Sequence, residues 1–175
     1  KFGIINTAGN VLYDFIIDFY TISRNEFVYG KIKDKNVVFD PYGNPYAGIS
    51  VFLDGEELSF DYPLIIENDR VLVPCLEYGQ CPIYSQLSIR TEWRIGKKMI
   101  YINRGDISIV METNNTSMTK NGEKTILDVS PYSVENFLSS SSILLIPLRA
   151  LAEGLGADVD WEDELHRVVI TSREQ

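Results

Sequence analysis

Residues Leu144 to Ser172 read LLIPLRALAEGLGADVDWEDELHRVVITS, and the spacing within this stretch decides the fold. Leu144 to Ile146 form a short apolar run with the length of a buried strand. Pro147 suits the first helical turn, where a missing N–H costs nothing. Leu148, Leu151, Ala152 and Leu155 then recur at i, i+3, i+4 and i+7, one apolar stripe on a helix. Arg149 and Glu153 stand off that stripe as i, i+4 neighbours, and Gly156 is placed to end the helix as its C′ glycine. After it ADVDWEDE alternates, with Val159 and Trp161 facing one way and Asp158 and Asp160 the other. DELH turns the chain, and Val168 and Ile170 return an apolar face. The expectation is one short helix across a small antiparallel sheet. Trp161 would be the largest piece of its core, burying about 200 Å².

Upstream, the same order of signals appears once already. ISVFLDGEELSFD alternates around Asp54-Gly55, a strong two-residue hairpin signal. Two extended segments around an Asn68-Asp69 turn follow in YPLIIENDRVLVP, then an irregular piece with a short helix expected near Ile83 to Ile89. RIGKKMIYIN closes the unit. From residue 106 the order repeats, with Asn121-Gly122, Pro131, Ile146-Pro147, Trp161 and a closing strand. Gly55, Pro63, Val73, Pro74 and Trp93 are the matching positions of the first half, so an internal duplication is expected, with halves of about 49–105 and 106–172.

The second half resembles the copper amine oxidase N-terminal-like domain, whose signature is φ-Val-Pro-Leu-Arg, a glutamate, Leu-Gly, then Val-x-Trp and a short turn. Leu148, Arg149, Glu153, Leu155, Gly156, Val159 and Trp161 fall on it, and the first half follows more weakly. The resemblance implies a twisted antiparallel sheet packed on helix. It also implies a role as a stalk or surface module of exported and Gram-positive cell-wall proteins, outside any copper-bearing catalytic domain. One departure stands out: after Val73-Pro74 the chain runs CLEYGQCPIYSQLSIRTEW, about five residues longer than the second half, with no arginine at the Arg149 position.

Residues 1–46 differ in character. They hold half of the chain's aromatic residues, and short β-rich runs are broken by turn signals. KFGIINTAGN aligns with KNVVFDPYGN, placing Lys1 on Lys35, Asn6 on Asp40 and Gly9 on Gly43, a degenerate repeat. Phe2 to Gly9 resembles the bacterial WG repeat with Phe in place of Trp, whereas Asn36-Val37 departs from it.

Composition narrows the function. With 45% hydrophobic residues in 175, the chain can bury a real core, and its net charge of −9 without a basic stripe disfavours nucleic acid and anionic membranes. The longest apolar run, Ile143 to Leu148, is too short for a membrane span of about 20 residues. The opening KFGIINTAGN reads as the interior of a structured unit, so an export signal is expected upstream. His166 is the chain's only histidine and no Cys-x-x-Cys occurs, which leaves no zinc or copper donor set. Asp158, Asp160, Glu162 and Asp163 fail the EF-hand pattern, since its glycine and final glutamate positions hold Asp163 and Val169. The four serines from Ser139 lack a nucleophile elbow. Cys75 and Cys81 fit either a disulfide across a small loop or two free thiols.

The sequence is therefore read as an α+β protein of small twisted antiparallel sheets packed on short helices, internally duplicated and preceded by a β-rich repeat segment. Residues 1–46 form the WG-like segment and residues 47–175 the copper amine oxidase N-terminal-like domain. It is expected to be a non-catalytic scaffold or adhesion module, extracellular or in the wall of a Gram-positive bacterium. The partner would be a protein or wall glycan, and no cofactor or metal is expected. The alternative is an accessory stalk of a larger secreted enzyme. Pro147, Arg149, Glu153, Gly156, Trp161 and Trp93 are assigned structural roles, with Arg149 expected to bond backbone carbonyls or a carboxylate and fix its helix against the neighbouring half. Tyr20, Tyr42 and Tyr46 are the candidate partner surface.

Overall fold

The computed structural model describes residues 2–5, 9–17, 19–22, 28–32, 35–40, 42–43, 45–46, 48–62, 64–76, 81–94, 98–135 and 142–173. The first segment carries β1 (Phe2–Ile5), β2 (Val11–Ile17), β3 (Phe19–Ile22), β4 (Val28–Ile32), β5 (Lys35–Phe39) and β6 (Pro45–Tyr46). The first half of the domain then gives β7 (Ser50–Leu53), β8 (Glu56–Glu57), β9 (Ile65–Glu67), β10 (Arg70–Leu76), α1 (Pro82–Gln86), β11 (Arg90–Arg94) and β12 (Met99–Arg104). The second gives β13 (Ile107–Glu112), β14 (Ser117–Lys120), β15 (Glu123–Ile126), β16 (Tyr132–Glu135), β17 (Ser142–Pro147), α2 (Leu148–Gly154), β18 (Asp158–Glu162) and β19 (Arg167–Thr171).

Hairpins are set by pairs of positive-φ residues. Asp54-Gly55 lie at φ 52° and 86°, Asn121-Gly122 at 47° and 88°, and Asn68-Asp69 at 49° and 58°. Two central residues of positive φ make the type I′ turn whose twist matches the flanking strands. The expected hairpins are therefore present.

The centre is a four-stranded sheet ordered β16-β17-β10-β9. β10 and β17 pair antiparallel with Val73 opposite Ile146, Leu72 opposite Pro147 and Pro74 opposite Leu145. The two apolar-apolar-Pro strands thus meet symmetrically about Val73 and Ile146. The tryptophan hairpins share one register as well: Trp93 pairs with Ile100 and Trp161 with Val168. Each of these hairpins continues into strands of the other half. β11 and β12 join β14 and β15 through β13 in a five-stranded sheet, and β18 and β19 join β7 and β8. β19 pairs with β7 in parallel, Val168 beside Val51, where only antiparallel sheets were expected. Parallel neighbours need a long crossover, and here everything from β8 to β18 supplies it.

One core runs through these layers. Val73, Cys75, Leu144 and Ile146 of the central sheet meet Val51, Val168 and Ile170 of one flanking sheet and Ile100, Ile102, Ile109 and Met118 of the other. Ile83, Tyr84 and Leu87 of the α1 region and Leu148, Leu151, Ala152 and Leu155 of the α2 region fill the same core. The predicted helical stripe is thus buried at all four positions. Burying a side chain of this size contributes about 1.5–3 kcal/mol. The opposite face of the central sheet carries a second cluster, Ile65, Leu72, Val129, Tyr132, Ile143 and Leu145, which Val38 of β5 joins.

Both helices close alike. Gly156 lies at φ 87°; its N–H bonds the Glu153 carbonyl, and the Ala157 N–H reaches back to Ala152. This is the six-to-one plus five-to-two pattern of a Schellman end. At α1 the same bonds run from Ser88 to Ser85 and from Ile89 to Tyr84, with Ser88 at φ 52°. Pro147, expected inside the first helical turn, is instead the last residue of β17 and the N-cap of α2. Gly154 allows close approach to the sheet: a Cβ there would come 2.7 Å from Cδ1 of Ile109.

Trp161 corrects the sequence reading. Its side of β18 is buried at Val159, yet the indole itself is 40% exposed. Val159 packs in the core with Leu148 and Leu151 of α2, whereas Trp161 lines a surface concavity beside Leu148 and Arg149. The indole N–H is met by Oδ1 of Asp163 at 3.1 Å, and the His166 ring stands edge-on at 6.4 Å.

Candidate functional site

Arg149, second residue of α2, stands between two concavities. One, of about 300 Å³, is walled by α2 (Arg149, Ala150, Glu153, Gly154), floored by Met118 and Lys120 of β14 with Thr125 of β15, and closed by Arg70, Val71 and the 127–129 segment. The other, of about 50 Å³, lies between Asp69, Val71, Arg149, Asp160 and Trp161. The groove about Arg149 is thus two adjoining concavities that share Val71 and Arg149 in their walls. The register of β9 and β10 puts the Asn68-Asp69 turn at its rim, and the helix stripe turns Arg149 outward. Ile126, 70% exposed, lies on the rim of the larger concavity. Leu165, also exposed, sits in the turn of the hairpin that carries Trp161.

Ion pairs line this groove. Arg70 donates from Nε to Oδ2 of Asp128 at 2.7 Å, and Arg149 faces Glu153 at 3.5 Å with both side chains half exposed. Arg149 is therefore in a surface pair within its own helix, contributing at most about 1 kcal/mol, rather than bonded to carbonyls or a carboxylate of the neighbouring half as expected of it. That role falls to Arg104, whose Nη1 donates to the Leu155 carbonyl at 3.1 Å and so ties β12 to the end of α2. Asp54 performs a similar tie: both carboxylate oxygens accept from Ser172, at 2.8 Å from its N–H and 2.6 Å from its hydroxyl. These Ser172 bonds hold the Asp54 carboxyl below its ordinary value. Neither tie has a local sequence signal, because the partners lie 51 and 118 positions apart.

The remaining predicted positions are dispersed. Cys75 and Cys81 are free thiols, both buried, so of the two sequence readings the structure carries the thiol pair. Burial pushes the Cys75 thiol well up, and the adjacent Cys81 pushes it the same way, which leaves it inert as a nucleophile. Tyr42 is 81% exposed, with its N–H bonded to Oδ1 of Asp40 at 2.9 Å. The side chains of Tyr20, Tyr46 and Trp93 lie outside the described residues, as do Pro63 and Ser139 to Ser141. Three of the four carboxylates of the 158–163 run are engaged: Asp158 by Arg173, Glu162 by Arg167 at 2.6 Å and Asp163 by Trp161. The Arg173 hydrogen bonds lower the Asp158 carboxyl.

The larger concavity carries the guanidinium and carboxylate groups of Arg70, Asp128, Arg149 and Glu153, and the smaller one carries the Trp161 ring. His166 hydrogen-bonds no nucleophile among the described residues. The donor set also fails copper, which takes several imidazoles or thiolates together. The chain has one histidine, its two thiols are buried with Cys75 held protonated, and no three His, Cys, Asp or Glu side chains converge among the described residues. None of the described helices is long and apolar enough to cross a membrane.

A family model for the copper amine oxidase N-terminal domain matches residues 52–170. No curated protein and no solved structure matches the chain.

Proposed function

The chain belongs to the copper amine oxidase N-terminal domain family, a non-catalytic accessory domain, and on that premise we propose that it is an extracytoplasmic surface scaffold or adhesion module. Its partner is a protein or a wall glycan held in the Arg149 groove. The observation that carries this reading is the placement of Trp161: the family's signature aromatic leaves the core and lines a groove already equipped with polar groups. An exposed indole beside guanidinium and carboxylate groups serves recognition better than packing. The same family membership favours a second reading, an accessory domain that positions an enzyme encoded in the same polypeptide.

We also read the domain as an internal duplication. Three features support it: the symmetric pairing about Val73 and Ile146, the shared register of the tryptophan hairpins, and the identical closing bonds of the two helices. For residues 1–46, the reading as the end of a WG-like array is supported by Gly9 and Gly43, which match in the sequence repeat and lie at φ 80° and 83°.

Co-sedimentation with insoluble Gram-positive wall glycan, followed by amide chemical-shift mapping, tests the binding reading. Shifts should cluster at Asp69 to Val71, Arg149 and Trp161, and Trp161→Ala should weaken binding about tenfold or more. Sedimentation unaffected by Trp161→Ala and Arg149→Ala would remove the groove. Amine oxidation by the copper-loaded protein would remove the non-catalytic reading.

A further inference from the structure

We propose that the outer edge of β15 docks a second copy of this chain, strand against antiparallel strand, centred on Ile126. β15 ends the five-stranded sheet, and no described strand covers its outer side. The hairpin register fixes which backbone groups face outward. The Leu127 N–H donates to the Thr116 carbonyl at 2.6 Å. Hydrogen-bonded pairs alternate along an antiparallel ladder, so Thr125 and Glu123 also bond inward, to Met118 and Lys120. Lys124 and Ile126, opposite Thr119 and Ser117, therefore turn their N–H and carbonyl groups to the free edge. All four residues of β15 are exposed, and Ile126 is 70% so.

The sequence from Lys124 to Asp128 decides the occupant. Read antiparallel against itself about Ile126, it sets Ile126 opposite the second Ile126. It brings each Lys124 to the partner's Asp128, which lies in the bend two residues past the end of β15 and is an exposed carboxylate that can also keep its own Arg70. Opposite charges facing across strands favour pairing, whereas like charges oppose it. The two copies would share reciprocal Ile126 backbone hydrogen bonds in an isologous contact. The comparable free edge at β18 carries Asp158, Asp160 and Glu162, and a second copy there would meet like charge. β15 carries no proline; its edge protection is its shortness and the charges of Glu123 and Lys124, and the Lys124 charge is the one the Asp128 pairing neutralises.

Such an edge buries less than a stable interface needs, so the dimer should be weak, with Kd on the order of 100 µM. Sedimentation equilibrium on the whole chain, from about 20 µM to about 1 mM, should show a monomer–dimer equilibrium that weakens with added salt. Ile126→Pro should abolish it without unfolding the chain, because the N–H it removes is not used inside the monomer. Lys124→Asp should raise Kd about tenfold or more, the contact occurring twice per dimer, and Lys124→Asp with Asp128→Lys should restore it. A chain monomeric throughout the range overturns the proposal, and so does a dimer that tolerates Lys124→Asp. Loss in the single variant without recovery in the double variant overturns the register. If Ile126→Pro unfolds by circular dichroism, the charge exchange decides alone.

Discussion

α2 follows Pro147 directly, whereas α1 begins only at Pro82, eight residues beyond Pro74. α2 has seven residues and α1 five. Yet each delivers apolar side chains to the same core, and each ends in Leu, a left-handed residue and an apolar residue with the same two closing bonds. From there to the tryptophan strand the spacing agrees: Leu87 to Trp93 matches Leu155 to Trp161. The extra residues of the first half are absorbed before α1. What the fold requires at this station is a few buried side chains and a fixed exit into the next hairpin. The path into the helix is free to vary.

The strongest way to break the comparison is to empty each helix's share of the core. Leu151→Ala and Ile83→Ala, both at fully buried positions, should each cost about 2–5 kcal/mol in urea unfolding followed by circular dichroism. If Ile83→Ala costs under about 1 kcal/mol, α1 is an appendage rather than the counterpart of α2. The helix ends sharpen the comparison further. Gly156→Ala should destabilise by about 1 kcal/mol, because an L side chain is strained at φ 87°. Ser88→Gly, at the matching left-handed position, should stabilise by up to about 1 kcal/mol, read as a rise in Tm of a few degrees.

Smaller effects separate the two arginines at α2. Arg104→Ala should cost about 1 kcal/mol, since it removes a charged donor from the Leu155 carbonyl. Arg149→Ala should stay within about 0.5 kcal/mol because its pair with Glu153 is half exposed. The smallest is the clasp between the halves. The folded Asp54 carboxyl is depressed by its Ser172 bonds, so its stabilisation is complete above the unfolded carboxylate pKa of about 3.9. It is lost as pH falls through the lower folded value. Asp54→Asn should flatten the acid limb of the stability–pH curve below about pH 4 and change stability at pH 7 by under about 0.3 kcal/mol.

Much of the fold was legible because its signals are local. The helix stripe at Leu148, Leu151, Ala152 and Leu155, the Gly156 stop and the Asp-Gly and Asn-Gly turns depend on neighbours within a few residues. The short α1 was also visible in the sequence near Ile83. The groove was legible only in part. Arg149 and Trp161 stood out by pattern, but the pattern argued for Trp161 inside and Arg149 as a clamp. Alternation says which side of a strand a residue faces. It does not say which residues on that side are covered.

The sequence by itself determined the short-range grammar of the protein: turn positions, the apolar face of α2, and the recurrence of one order of signals in two halves. Tertiary structure alone decided that the tryptophan hairpin of each half completes a sheet with the other half, that β7 and β19 run parallel, and that Arg104 reaches the end of α2. Local signals follow from backbone sterics and side-chain period. Sheet partners are chosen by which edges the whole chain brings together, and residues more than a hundred positions apart leave no mark on each other's neighbours.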